Sequence, residues 1–361
     1  MSHQQAKSIN FLYTCIISVI PLISMFTCLI YIGAYSIFLY VTNNEVIPLI
    51  ASTYLIAMCI LSLSLGLRKT FSVEIARNII EKFSLLASAF LVFQVVMYNV
   101  CGKITEVIPQ DFIYETDSFI AATSTVAEIL RWSSFFVEPS HFAQYVIIGV
   151  ASALFPPYSV VPKPKYKTAL FCSTCIILTT SGIGILLCIV TWTYWFFFYK
   201  SKENIFSSRF LSFCTHVLMV LIIMIMLYFV ALQFEITHTA INRIFGTGGL
   251  ESGFHGRMWS YVIYKNLNLF QKIFGTGSLN PGYYMTSFVA CLYAFGIVGT
   301  TLILCSSLML YKHTNGFYRC LVIIYNILFF VSYIFTPIGI AFYYSLIISG
   351  TVLKRSQQKI K

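Results

Sequence analysis

The sequence predicts an all-α, polytopic integral membrane protein of about ten transmembrane helices, with both termini cytoplasmic and two larger external loops. Three observations carry that prediction. Hydrophobic residues make up 58% of the 361 residues and charged residues only 10%, a balance that no soluble chain of this length can solvate. The apolar residues come in long uninterrupted runs, not in the period-2 alternation of an outer-membrane barrel. The basic residues gather at the ends of alternate runs, where they act as topology signals.

A hydrocarbon layer about 30 Å thick takes roughly 20 residues of helix. On that measure the spans fall near 11–41, 46–67, 79–99, 139–160, 168–180, 183–199, 210–234, 283–310, 319–335 and 337–353. The first follows Lys7 and is too long for a cleaved signal, so it reads as a retained anchor. The fourth opens at Glu138-Pro139, with proline at the first helical position. Residues 168–199 are continuously apolar, yet Lys163, Lys165 and Lys167 precede them and Lys200 and Lys202 follow. Both ends therefore read as cytoplasmic, the chain must return within the stretch, and Thr179-Thr180-Ser181-Gly182 supplies the turn. A second return at Thr336-Pro337 divides 319–353. The whole is one transmembrane domain, 1–361, with external loops at about 100–138 and 235–282.

With the N-terminus inside, seventeen of the 23 Lys and Arg face the cytoplasm, as the positive-inside rule requires. The other six, Lys103, Arg131, Arg243, Arg257, Lys265 and Lys272, fall in the two external loops, where topology gives them no reason to be. The net charge of +11 contains no block of five or six basic residues, so a nucleic-acid partner is not expected. Of the eleven cysteines, all but Cys101 lie in or beside apolar runs. Cys172-Ser173-Thr174-Cys175 has redox spacing but sits inside such a run and reads as packing.

The second loop contains a repeat: Ile244-Phe245-Gly246-Thr247-Gly248 recurs as Ile273-Phe274-Gly275-Thr276-Gly277, after Arg243 and Lys272. Backbone amides in the Gly-Thr-Gly turns are candidates for an anion-binding nest. Between the copies, Trp259, Val262, Ile263, Asn266 and Phe270 share one helical face while Arg257, Tyr261, Tyr264 and Asn268 lie largely on the other, which predicts an amphipathic helix on the membrane surface.

The chemistry is bounded first by absences. There is no G-x-x-x-x-G-K-[ST] and no H-E-x-x-H, and the two aspartates, Asp111 and Asp117, form no D-x-D pair. Chemistry is therefore expected to run without nucleotide, cofactor or bound metal. Arg131, Arg243 and Arg257 are planar, permanently charged donors suited to phosphate oxygens; the structural alternative is that they anchor lipid headgroups or pair with Glu128, Glu235 or Glu251. Glu138 and His141 stand three residues apart at a helix mouth, which pairs them one helical turn apart on the same face, and either can serve as a general base. The structural alternative for Glu138 is a helix cap whose charge complements the dipole. His255, beside Gly256-Arg257, is a third candidate base.

In order along the chain, these elements resemble the Wzy-type O-antigen and capsular polysaccharide polymerases, relatives of the O-antigen ligases. The resemblance rests on Glu138-Pro139-Ser140 opening a mid-chain helix, the short-helix pair around Thr180-Ser181-Gly182, and Gly256-Arg257-Met258-Trp259 in a large outer loop. Phe274-Gly275-Thr276-Gly277 and Phe295-Gly296-Ile297-Val298-Gly299 complete it. The ligase subgroup carries a His-Asn pair in its outer loop; here His255 is followed by Gly256, which counts against a ligase. The resemblance implies a membrane glycosyltransferase of the bacterial cytoplasmic (inner) membrane, active on its external or periplasmic face. It would join undecaprenyl-diphosphate-linked oligosaccharide units into O-antigen, capsule or exopolysaccharide, among membrane lipids and beside a flippase and a chain-length regulator. Arg131, Arg243 and Arg257 would then bind the diphosphate, and Glu138, His141 or His255 would take the acceptor proton. The rival reading is a transporter of the same lipid-linked sugars; it would line its spans with charge, whereas here the polar groups gather on one face.

Overall fold

The computed structural model describes residues 27, 29–42, 73–101, 125–126, 129–130, 132–136, 138–156, 164–199, 261–277, 285–334 and 343–350. The described chain is mostly helical. In order come α1 (Leu29–Thr42), α2 (Val73–Cys101), and an antiparallel ladder of β1 (Thr125–Val126) with β2 (Ile129–Leu130). Then follow α3 (Pro139–Leu154), α4 (Tyr166–Leu178) and α5 (Gly182–Tyr194), which runs into a π-helical turn, Trp195–Tyr199. Last come α6 (Leu269–Phe274), α7 (Ser287–His313), α8 (Gly316–Val331) and α9 (343–350). Two helices, Glu74–Cys101 and Ser287–His313, are long and apolar enough to cross a membrane, and shorter apolar helices accompany them. The expected spans at 46–67 and 210–234, and the turn at Thr336-Pro337, lie outside the described residues.

The chain divides into two compact units. A central unit holds Glu74–His255, and a split unit combines Met1–Val73 with Gly256–Lys361.

In the central unit, α2 is patterned inside out. Ile80, Ser84, Ala87, Ser88, Leu91 and Gln94 recur at helical spacing and are buried, while Ile79, Leu86, Phe93 and Val100 are exposed. Small and polar groups facing protein, with large apolar groups facing away, suit a helix whose solvent is hydrocarbon. The helix begins at Val73, six residues before the expected span, which brings Arg77 and Glu81 into its first turns as buried side chains. Arg77 is more than a topology signal. Its Nη2 donates to the Ser152 carbonyl at 3.0 Å and to the Phe155 carbonyl, and its Nε donates to Ser152 Oγ at 3.3 Å. A guanidinium on the last carbonyls of α3 satisfies groups that the helix leaves orphaned and complements its dipole. The stop itself is set by Pro156, which cannot continue the helix and keeps Phe155 out of helical conformation, so α3 ends at Leu154 and not at 160. Glu81 pairs with Lys165 at 2.7 Å.

From Val146 onward α3 is buried all round: Val146, Ile147, Ile148, Val150 and Leu154 have no exposed surface. A helix apolar on every face belongs in the interior. α4 and α5 form the expected short pair, each about 20 Å long at 1.5 Å per residue. The turn falls at the anticipated place with different chemistry. Thr180 takes the left-handed conformation, φ +52°, Ser181 caps α5 by accepting from Gly184 N at 3.3 Å, and Gly182 is simply the first helical residue. Across the pair, Trp192 Nε1 donates to Ser173 Oγ at 3.0 Å. Cys172 and Cys175 are buried and unbridged.

In the split unit, α7 starts at the cap Thr286, whose side chain accepts from Val289 N at 3.5 Å. Ser287 N donates to the Ser332 carbonyl at 2.9 Å, and Ile334 N donates to Ser287 Oγ at 2.7 Å, so the start of α7 and the end of α8 satisfy each other. At the other end of α7, Arg319 Nε donates to the carbonyls of Tyr311 at 3.1 Å and Thr314 at 2.9 Å, the role Arg77 plays for α3.

Candidate functional site

The described part of the candidate site is the mouth of α3. Trp132–Phe136 approaches that mouth along α2 and is pinned to it. Ser134 is buried, with φ +58°, a conformation that costs a non-glycine residue roughly 1–2 kcal/mol. Three bonds hold it there. Ser134 N donates to Gln94 Oε1 at 3.0 Å, Gln94 Nε2 donates to the Ser134 carbonyl at 3.3 Å, and Ser134 Oγ donates to the Ala87 carbonyl at 2.7 Å. Aromatic rings flank this anchor: Phe135 stacks on Phe90 at 4.5 Å, Trp132 meets Tyr98 edge-on at 5.4 Å, and Phe136 meets Phe142 edge-on at 5.9 Å. Irregular buried backbone is tolerated where protein groups satisfy it, and here α2 supplies them.

Four residues on, Glu138 occupies the N-cap position of α3 with extended backbone, and Pro139 follows at the start of the helix. A capping carboxylate would accept from an amide of the first turn. Glu138 makes no such bond. Its Oε2 accepts instead from Ser140 Oγ at 2.6 Å, and the side chain is half-buried while His141 is exposed. The i, i+3 pairing of Glu138 with His141 does not form: Glu138 is not in helical conformation, and the ion pair found among the described residues is Lys165–Glu81. Arg131, Arg243, His255 and Arg257 lie outside the described residues. Gln94 and Ser134 carried no signal in the motif reading. Gln94 could have been noticed as an amide inside an otherwise apolar run.

The second Gly-Thr-Gly turn has a different use from the anion nest expected of it. Gly275 N donates to the Gln271 carbonyl at 2.7 Å, Thr276 N to Tyr293 O at 2.8 Å, and Gly277 N to Ala294 O at 2.9 Å. All three amides are spent on protein carbonyls. The cause is Gly296, which breaks α7 with φ +63° and ψ −169°, backbone space that is essentially glycine's alone. A break there leaves the carbonyls of Tyr293 and Ala294 without their helical partners, and Thr276 and Gly277 replace them, aided by Thr276 Oγ1 on Tyr293 O at 3.0 Å. Gly275, at φ +95°, lies so close that a Cβ would overlap the Ala294 backbone, and a Cβ on Gly296 would overlap the Ile273 carbonyl. From α1, Tyr35 Oη donates to the Gly275 carbonyl at 2.5 Å, and Tyr31 Oη reaches the carbonyls of Phe274 at 3.0 Å and Phe295 at 3.2 Å. The first copy of the repeat lies outside the described residues.

The amphipathic helix expected between the copies is also corrected. Residues 261–265 are helical, the chain turns at 266–267, and α6 starts afresh after Asn268. Asn268 and Gln271 form a reciprocal capping box, with Gln271 N on Asn268 Oδ1 at 2.8 Å. Ile263 and Tyr264, assigned to opposite faces of one helix, both pack against the cluster of Met285, Val289 and Ala290. Burial, followed by the neighbouring Tyr261, pushes the Tyr264 phenol above its ordinary range, and its hydroxyl donates to the Lys272 carbonyl at 3.2 Å.

No family model matches the chain, and no curated protein or solved structure is detectably similar to it.

Proposed function

We propose that the chain is a ten-span membrane glycosyltransferase, a Wzy-type polysaccharide polymerase of the bacterial cytoplasmic membrane. In this reading it joins undecaprenyl-diphosphate-linked oligosaccharide units on the external face. The observation that carries it is the state of Glu138. At a position where a carboxylate usually caps the helix, this one makes no cap bond and is held through one oxygen by Ser140. A half-buried carboxylate with an oxygen to spare, on an immobilised turn, is what a general base requires.

The chemistry assigned to it is a displacement. A hydroxyl oxygen of the acceptor unit bonds to the anomeric carbon of the growing chain, the bond from that carbon to the lipid diphosphate breaks, and the hydroxyl proton passes to Glu138. The activated lipid carries the driving force, so no nucleotide is consumed. Arg131, Arg243 and Arg257 are assigned to the departing diphosphate, where preorganised positive charge lowers the barrier. His141 and His255 are the alternative bases.

Purified protein in proteoliposomes, supplied with lipid-linked oligosaccharide, tests the reading. A ladder of longer lipid-linked chains with release of undecaprenyl diphosphate is expected. Passage of unaltered lipid-linked oligosaccharide across the bilayer, without elongation, would replace the polymerase by a transporter.

A further inference from the structure

We propose that Ser140 and Gln94 are positioning residues for Glu138, one holding its carboxylate directly and the other fixing the turn that delivers it. This inference rests on the assignment of Glu138 as base. Ser140 donates to Oε2 at 2.6 Å, and among the described residues no donor reaches Oε1, which is therefore the atom left for the proton. A charge-assisted bond this short restricts the carboxylate to one orientation, and general-base catalysis depends on that orientation before anything else.

Gln94 acts at one remove. Its amide clasps Ser134 from both sides of the peptide, at 3.0 and 3.3 Å, and Ser134 Oγ reaches the Ala87 carbonyl two helical turns away on α2. The serine is thus held at two points on one helix, in a left-handed conformation that survives only where its surroundings over-determine it. Three residues separate it from Glu138, and in that interval Phe135 stacks on Phe90 and Phe136 meets Phe142 edge-on. Displacement of the Ser134 turn therefore moves the carboxylate.

A double-mutant cycle on purified protein, with lipid-linked oligosaccharide as substrate, separates positioning from general stability. Ser140→Ala should lower kcat about tenfold at unchanged KM, in line with loss of one hydrogen bond to a charged group, and Ser140→Thr should restore the rate to within about twofold. Gln94→Met should also lower kcat about tenfold. In the Glu138→Gln background, both substitutions should change the residual rate less than about twofold, because nothing is left to position. If Gln94→Met fails to fold, Ser140→Ala decides alone, since Ser140 lies at the half-buried helix mouth and not in the core. Wild-type kcat from Ser140→Ala, or a full tenfold loss persisting in the Glu138→Gln background, overturns the inference while the polymerase reading stands. An inactive wild type overturns that reading and this one with it.

Discussion

The central unit and the split unit each interrupt helical order with irregular backbone, and they satisfy it by opposite means. At the mouth of α3, side chains do the work: Gln94 and the Ser134 hydroxyl satisfy or anchor the turn, and Ser140 engages the carboxylate that follows. At the break in α7, backbone meets backbone, with tyrosine hydroxyls filling in. The consequences differ. The first arrangement leaves a carboxylate oxygen uncommitted; the second commits every amide of its Gly-Thr-Gly turn. We take the first as a mount for chemistry and the second as a joint that holds α1, α6 and α7 together.

The largest effect should come from the joint. Gly275→Ala or Gly296→Ala drives a Cβ into the facing backbone at a φ/ψ combination essentially confined to glycine. Neither clash can be relieved by a rotamer change. Monodisperse protein recovered in detergent should fall at least about tenfold for either variant. Recovery near the wild-type amount would show that the joint is dispensable. The mount should behave in the opposite way. Glu138→Gln should be recovered normally and yet slow chain extension about 100- to 10,000-fold, the usual range for a general base.

Smaller changes sharpen the contrast. Tyr35→Phe removes the hydroxyl donated to the Gly275 carbonyl and should cost about 1 kcal/mol. It should appear as a lower melting temperature with kcat unchanged; a fall in kcat at constant stability would move catalysis into the split unit. Asn268→Ala removes half of the capping box at α6. At about 1 kcal/mol or less for an exposed cap, it should lower the melting temperature least and leave polymer length alone.

The sequence made the helices legible where hydropathy and punctuation agree. Pro139 marks the start of α3, the Thr179–Ser181 turn divides α4 from α5, and the apolar run beyond 283 contains α7. Boundaries differ where local punctuation cuts an apolar run short, as when Phe155-Pro156 ends α3. The capping box at Asn268 and Gln271 was visible as a local pattern, but helical periodicity across 259–270 masked it. The partnership of Gly275 with Gly296 was not legible. Both glycines stood out as Phe-Gly pairs, yet only the fold brings the two turns together. For the candidate site, the residue types at the mouth of α3 were readable. Their hydrogen bonds were not, because Gln94 meets Ser134 across 40 positions of sequence. The i, i+3 rule that paired Glu138 with His141 holds within a helix and fails at a residue that precedes one.

The most direct measurement compares purified Glu138→Gln and His141→Ala side by side, as initial rates of chain extension on lipid-linked oligosaccharide at matched melting temperature. The half-buried, Ser140-held carboxylate should be the group whose loss is felt: at least about a 100-fold fall for Glu138→Gln, and less than about tenfold for the exposed His141. Both variants near the wild-type rate would contradict the account and return the α3 mouth to helix architecture.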